Sequence, residues 1–554
     1  NLYRYQLAFR ESKRIEKEGN ELPLVQTRWI EKTKTMIPKL SEPVGYPDLY
    51  EPDVTVNLVS HESGEKFNNI SGADRLLTIE SMLKKGTFTP DVVIWMQKPG
   101  NVLLLMDDMK NCPQFIDEYP RVWIDFCFHH NPEDSYMHSP ERNKSDDFHF
   151  IFNSLLKSPS KLKTEGITAF CSWIGRWKEY YSLDEESIQL WSELLDFAEI
   201  YAIEDYHKAL SRTESLKTNL NISELDRTNH FTPVGQLIDV FIQLLPNLGN
   251  DPKPFQTFPD LLRMRNRLMN CSKPAINIVL YRFTEILGYL LKADYQWTED
   301  ELVYPLTKDY PSSRHLWIAL SHKIISRTIL KYLGDSILEP CRDEKIDRDS
   351  RHMLLLSIVV EIINSFREER QPLIDIVKFK QLIYSLDDEA RSSIVDILPK
   401  YIKEMSESNT SNKKFSCETL FRKAITPFIE AIWPKEPSLV TTSIAQAFAA
   451  LPASSRTAFS EAVELIERYI IPFECYSLYS FGFKYSDNDN LKTVKEIINN
   501  TKAAESLLKL LDKAIAYSDS PIRPIELPDT LNYIKEVDPD LEYNPIYTRL
   551  EMLT

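Results

Sequence analysis

The chain has 554 residues, with 66 Lys and Arg against 82 Asp and Glu and a net charge of −16, a balance that repels polyanions over most of the surface and disfavours nucleic-acid binding. Only 13 glycines leave little material for phosphate-cradling loops or a doubly wound sheet with its Gly-rich turns. Hydrophobic content of 43% describes a folded protein, yet the longest apolar runs, such as Met353–Val360, fall far short of a membrane span, so no membrane partner is expected.

The length allows three or four domains or one continuous solenoid. Seven cysteines, at 112, 127, 171, 271, 341, 417 and 475, show neither a disulfide framework nor CxxC spacing, which points to a reducing cytoplasm. Nothing in Asn1–Asn20 has the form of a signal peptide. The run Leu2–Phe9 followed by Arg10–Lys17 has the look of mid-protein helix, and we expect a piece of a longer protein.

Residues 1–75 hold one charged helix and then irregular polar sequence with four of the thirteen glycines, an irregular N-terminal cap or linker. From Ala73 the pattern turns helical, with Leu76, Leu77, Ile79 and Leu83 on one side. Val92–Met96 fits a short strand or a buried helical turn equally well. Residues 158–164 read as a Ser/Lys/Pro connector, and Ile167, Phe170, Ile174 and Trp177 then form a stripe at helical spacing. Ile188, Trp191, Leu194, Leu195, Ala198 and Tyr201 form another. The polar stretch Ser211–Asn229 places a soft boundary between a helical region, 76–228, and a C-terminal helical-repeat domain, 229–554.

In that second part Thr232-Pro233 caps a long helix, with proline at a first-turn position where its missing N–H costs nothing. Further helices are expected over Ile276–Leu291, His315–Leu333, Arg351–Phe366, Ile394–Met405 with a break at Pro399, Ser416–Ile432, Ser438–Leu451, Ser454–Tyr469, Leu491–Asn500, Lys502–Tyr517 and Leu527–Lys535. The Ser416–Ile432 helix must stop at Trp433, because Pro434 disfavours helical geometry in the residue before it. Helix pairs recur at intervals of roughly 35 to 50 residues, the range of TPR to HEAT-like units. The expected fold is all-α, an extended αα-superhelix of degenerate HEAT-like repeats.

Three stretches carry a likeness to a known family: Thr232–Leu237; Tyr281-Arg282-Phe283 through Asp294–Thr298 to Pro305; and Ala431–Lys435 with Ile444–Phe448 and the Ala-Phe-x-Glu-Ala pattern at Ala458–Ala462. Residues 230–554 thereby resemble the helical domain of unknown function at the C-terminal end of bacterial sirtuin-like anti-phage defence proteins. One departure is that His315–His322 keeps the family's tryptophan, Trp317, but not the proline segment that often follows it. The resemblance implies a cytoplasmic sensor or assembly region that binds a phage protein, a partner subunit or its own effector, with a homo-oligomer as an open alternative. The implied NAD-consuming effector is absent from this chain, which carries no nucleotide fingerprint, so the chain itself is expected to be no enzyme and to hold no cofactor.

Two constellations compete with that reading. Cys127, His129, His130, His138 and His149 fall within 23 positions, beside Asp134, Asp146 and Asp147. They supply enough ligands for zinc or for a metal-dependent hydrolase, against a bland reading as a half-exposed polar loop between helices. Arg263 and Arg267 share one helix face, backed by Leu261, Leu262, Met264 and Leu268; they are a candidate partner-binding surface, against a solvated basic face. Carboxylate pairs such as Asp107-Asp108, Asp184-Glu185-Glu186 and Asp387-Asp388-Glu389 read mostly as helix starts, where the helix dipole favours them. A stand-alone helical scaffold of a multiprotein complex is the remaining alternative.

Overall fold

The computed structural model describes residues 64–84, 90–133, 142–213, 231–407, 415–484, 491–516 and 522–554. Among them there is no strand, and the fold is all-α. The chain forms two compact units. The described part of the first is residues 64–69 and 90–95; most of the expected N-terminal cap lies outside the described residues.

In the first unit a 3-10 turn, Glu65–Asn69, meets the helix that begins at Pro90. Phe67 stands edge-on to Trp95 at 5.5 Å, and the Trp95 indole N–H donates to Asn68 Oδ1 at 2.9 Å. The segment left open between strand and helix is therefore helical. Proline at its start and Asp91 in its first turn both favour that outcome.

The second unit contains the remaining helices. Its first part comprises α1 (Ala73–Lys84), α2 (Pro99–Lys110), α3 (Pro120–His129), α4 (Lys144–Lys157), α5 (Ser160–Glu165), α6 (Ile167–Arg176) and α7 (Glu185–Thr213). Next come α8 (Pro233–Leu244), α9 (Pro259–Met269), α10 (Ala275–Glu285), α11 (Leu287–Ala293), α12 (Arg314–Leu320) and α13 (Arg327–Leu333). Then follow α14 (Arg348–Arg367), α15 (Ile376–Ser385), α16 (Asp388–Glu407), α17 (Cys417–Leu420), α18 (Thr426–Ile432), α19 (Thr442–Ala449) and α20 (Phe459–Ile466). The unit closes with α21 (Lys492–Ile497), α22 (Thr501–Leu511), α23 (Leu527–Val537) and α24 (Pro545–Glu551).

Contacts run in a series between near neighbours in sequence. α1 rests on α3, α3 on α6, α6 on α8, α8 on α10, α10 on α12, α12 on α14, α14 on α16 and α16 on α19. Helices α6 and α7 both pack on α8, so the segments flanking 214–230 share one core; the boundary expected at Ser211–Asn229 lies largely outside the described residues. The stripe Ile167, Phe170, Ile174 and Trp177 is fully buried, as its spacing required.

Charged residues tie helices to one another. The buried Glu80 of α1 accepts the backbone N–H groups of Arg121 and Val122, both at 2.9 Å, and so caps the positive end of α3 from a distance in sequence. Thr232 caps α8 through the Gly235 N–H, with proline in the first turn as expected.

Several expectations are corrected, beginning with Ile276–Leu291, which is divided at Ile286 into α10 and α11. The connector at 158–164 is mostly helix α5, because Leu162 and Lys163 are buried and Lys163 Nζ reaches Glu193 Oε2 at 2.8 Å. The helix expected to break at Pro399 continues through it as α16. Buried Ile394, Val395, Ile397, Leu398, Tyr401 and Ile402 on both sides of the proline supply more burial energy than the roughly 3 kcal/mol a mid-helix proline costs. The span His315–Leu333 is two helices, since the Ser321 hydroxyl bonds Ser350 and the Ile325 N–H bonds Ser357 on α14, pulling the intervening turn out of helical register.

Around the Trp-Pro break the structure follows the sequence. α17 runs through a π-helical turn, Phe421–Ile425, into α18 and stops at Trp433, whose backbone is extended at ψ 134°. Trp433 then stands edge-on to Phe448 of α19 at 5.3 Å, and Phe448 stacks on Tyr469 at 4.8 Å.

Candidate functional site

The Cys/His cluster is dispersed by helical geometry. Cys127 and His130 are three residues apart and share the core face of α3 and its C-terminal cap, so both are fully buried. Burial pushes the Cys127 thiol well above its usual range. The His130 ring stacks between Phe126 at 4.9 Å and Trp177 at 4.8 Å, and its Nδ1 accepts the Trp173 indole N–H at 3.1 Å. Burial lowers its pKa from 6.5 to about 3, so the imidazole is neutral.

His129 points elsewhere and holds the Asp125 carbonyl of its own helix through Nδ1 at 2.9 Å. His149 is exposed against Phe148, and His138 lies outside the described residues. Among the described residues no three His, Cys, Asp or Glu side chains converge as metal ligands. Nor is the segment simply a half-exposed loop: α3 and α4 contribute its key side chains to an aromatic core. Asp147 is buried in the first turn of α4, where Lys110 at 2.5 Å and Arg142 at 3.1 Å bind it, and Arg142 also bridges to Asp107 at 2.9 Å.

The carboxylate pairs separate similarly. Asp107 turns to Arg142 while Asp108 turns inward to Arg75 and the Gly72 N–H, so the two do not form an acid/base pair. They lie in the last turn of α2 rather than at a helix start, and the two arginines offset the unfavourable dipole there. Asp184 and Asp387 do cap helices, through the N–H groups of Ser187 and Ala390 at 2.8 and 2.7 Å.

On α9 the two candidate arginines behave differently. Arg263 is exposed and pairs with Asp260 one turn back. Arg267 crosses to α7 and binds Glu199 at 2.8 Å and Asp196 at 2.5 Å. Arg265 between them faces the interior: its guanidinium lies 4.0 Å from the Trp297 ring and 4.4 Å from the Phe255 ring, with Asp294 Oδ2 at 2.7 Å. Burial lowers its pKa, and the Asp294 hydrogen bond partly offsets the effect. The Asp294-x-x-Trp297 spacing thus forms two sides of a box around a buried cation, and that i, i+3 spacing was the signal available in the sequence.

Nearby, Tyr281 hydroxyl and His322 Nε2 are 3.0 Å apart, and His322 Nδ1 is 3.2 Å from Glu285 Oε1, a tyrosine–histidine–carboxylate relay absent from the sequence reading. Arg282, also buried, binds Asp239 and Glu285. Tyr281 is only 1% exposed, and its hydroxyl ties α10 to the turn after α12.

Open space occurs elsewhere. A groove of about 600 Å³ lies along the π-helical turn, α18 and α20. Ile429 and Tyr469 are among its apolar contributors, and Arg422, Glu430, Lys435, Glu461 and Arg468 ring it with both signs of charge. Arg422 and Glu461 are joined by two hydrogen bonds, 2.8 and 2.7 Å. The residues Lys435 and Glu461 belong to the Trp-Pro-Lys and Ala-Phe-x-Glu-Ala stretches singled out in the sequence, so two separated motifs meet on one surface.

Compared with protein-family models, curated proteins and solved structures, the chain matches none. No helix among the described residues is long and apolar enough to cross a membrane.

Proposed function

We infer that this chain is the recognition and assembly region of a bacterial anti-phage protein. On this reading it binds a phage protein or partner subunit and controls an attached effector, which the resemblance implies is a sirtuin-like NAD-consuming domain. The observation that carries the reading is the groove at α18 and α20, where two separated segments of the third stretch behind the resemblance, those of Lys435 and Glu461, meet beside solvent. A groove ringed by both signs of charge suits a protein surface, since charge complementarity sets specificity. Helices stacked in series, as in helical-repeat proteins, pass small rearrangements to a distant attached domain when binding shifts a two-state equilibrium.

Arg263 and Arg267 are a poor test of this function, because Arg267 holds α9 against α7 and reversing it would disturb folding. The cleaner perturbation is Lys435→Glu with Arg468→Glu at the groove rim. In a phage-challenge assay of the full parental protein, the double variant should lose protection while the purified protein keeps its melting temperature. Full protection by the variant would refute the groove, and a wild-type protein that gives no protection would refute the defence role.

A further inference from the structure

A second groove, of about 520 Å³, lies where the end of α16, the segment Ala453–Arg456, the segment Gly482–Lys484 and α21 meet. We propose that it binds an acidic segment of a protein partner. Among the described residues, four cations from four points in the chain line it, Lys403, Arg456, Lys484 and Lys492, against Glu407 and Glu496. Arg456 neutralises Glu496 at 3.4 Å. The three lysine ammonium groups have no ion-pair partner among the described residues, so the described lining carries an excess of positive charge on a chain of net charge −16. An acidic segment is repelled by most of this surface and attracted here, which is the condition for electrostatic specificity.

The walls of the groove are held in place by unusual backbone. Gly482 sits at φ +80°, and a Cβ there would lie 2.4 Å from the Ala450 carbonyl oxygen, so only glycine fits. Arg456 is one of two non-glycine residues described with positive φ, at +54°, a conformation that persists only where the surrounding structure imposes it.

The chemistry of the lining favours carboxylates on a peptide over a nucleotide or free phosphate. Among the described residues no aromatic ring lines the groove to stack a base, and the one guanidinium there is already engaged by Glu496, which leaves no free fork among them for bidentate phosphate binding. Lysines are flexible point charges that accept varied carboxylate spacing.

The test is fluorescence anisotropy with a short fluorescein-labelled peptide of alternating Asp and Glu at low salt. Lys484→Glu with Lys492→Glu should weaken binding about tenfold or more, because each reversal replaces an attraction by a repulsion of similar size. The same charge change at Lys502 and Lys509, which line a different surface, should leave affinity within about twofold. No binding to the wild type, equal weakening by both double variants, or unchanged affinity in the first would overturn the proposal. Displacement of the peptide by equimolar inorganic phosphate would reassign the groove to phosphate. Both double variants are compared with wild type by thermal melting, and the outcome is independent of the groove at α18 and α20.

Discussion

Replacing His130 by phenylalanine should reverse its effect on stability between pH 7 and pH 4. At neutral pH the imidazole stacks on Phe126 and Trp177 and accepts the Trp173 indole N–H. Phenylalanine keeps the stacking but leaves that buried donor without its acceptor, a loss of about 1–3 kcal/mol. As the pH falls, the unfolded chain takes up a proton on this histidine near 6.5, whereas the folded chain resists protonation down to about 3. Burial is the main cause; Arg176, Arg142 and Lys110 add to it, and Asp147 opposes it.

Because the unfolded state binds more protons in this window, wild-type stability falls with falling pH by about 1.4 kcal/mol per unit below 6.5, or about 3 kcal/mol by pH 4. The variant lacks this dependence, and all other titrating groups cancel in the difference. Urea unfolding followed by tryptophan fluorescence at several pH values should therefore show the wild type more stable at pH 7 and the variant more stable at pH 4. Parallel stability curves would mean that His130 protonates freely in the folded state, and the account of a sealed aromatic core around it would be wrong.

Arg265→Ala should destabilise the protein by about 2–4 kcal/mol in chemical denaturation, since it empties the box between Trp297 and Phe255 and leaves Asp294 without its guanidinium. Arg265→Lys should still cost about 1 kcal/mol, because an ammonium neither stacks nor forks as a guanidinium does; a neutral result would discount the stacking geometry. Pro399→Ala should stabilise the protein by up to about 3 kcal/mol by restoring a helix hydrogen bond inside α16, and destabilisation would show that the ring's packing outweighs the missing N–H. Thiol labelling of the native protein at pH 8 should modify Cys112 and Cys417, which are partly exposed, well before Cys127, Cys171 and Cys341, whose burial raises their pKa; comparable rates across the five would contradict the buried assignment.

Local rules carried the reading of individual helices. The stop at Trp433 before Pro434, the Thr232-Pro233 start and the stripe through α6 each follow from backbone geometry or from a period that every residue obeys. The same local rules failed at Pro399 and at 158–164, where buried side chains from several helices outweighed a single breaker or a polar composition. The grooves were illegible because their walls come from segments tens of residues apart, as Arg422 and Glu461 show across 39 positions, and no pattern in one chain ties such segments together.

The amino-acid sequence by itself determined that this protein is helical, where many of its helices begin and end, and that its cysteines form no disulfide framework, because these depend on residue type and short-range periodicity. Tertiary structure alone decided what each polar residue does. Cys127 and His130 went into the core while His149 stayed in solvent, and of three neighbouring arginines Arg265 was boxed, Arg267 clamped α7 and Arg263 remained exposed. The physical reason is that a charge or a donor acquires its role from partners brought close by folding, and in the cases that matter here those partners lie far away in the sequence.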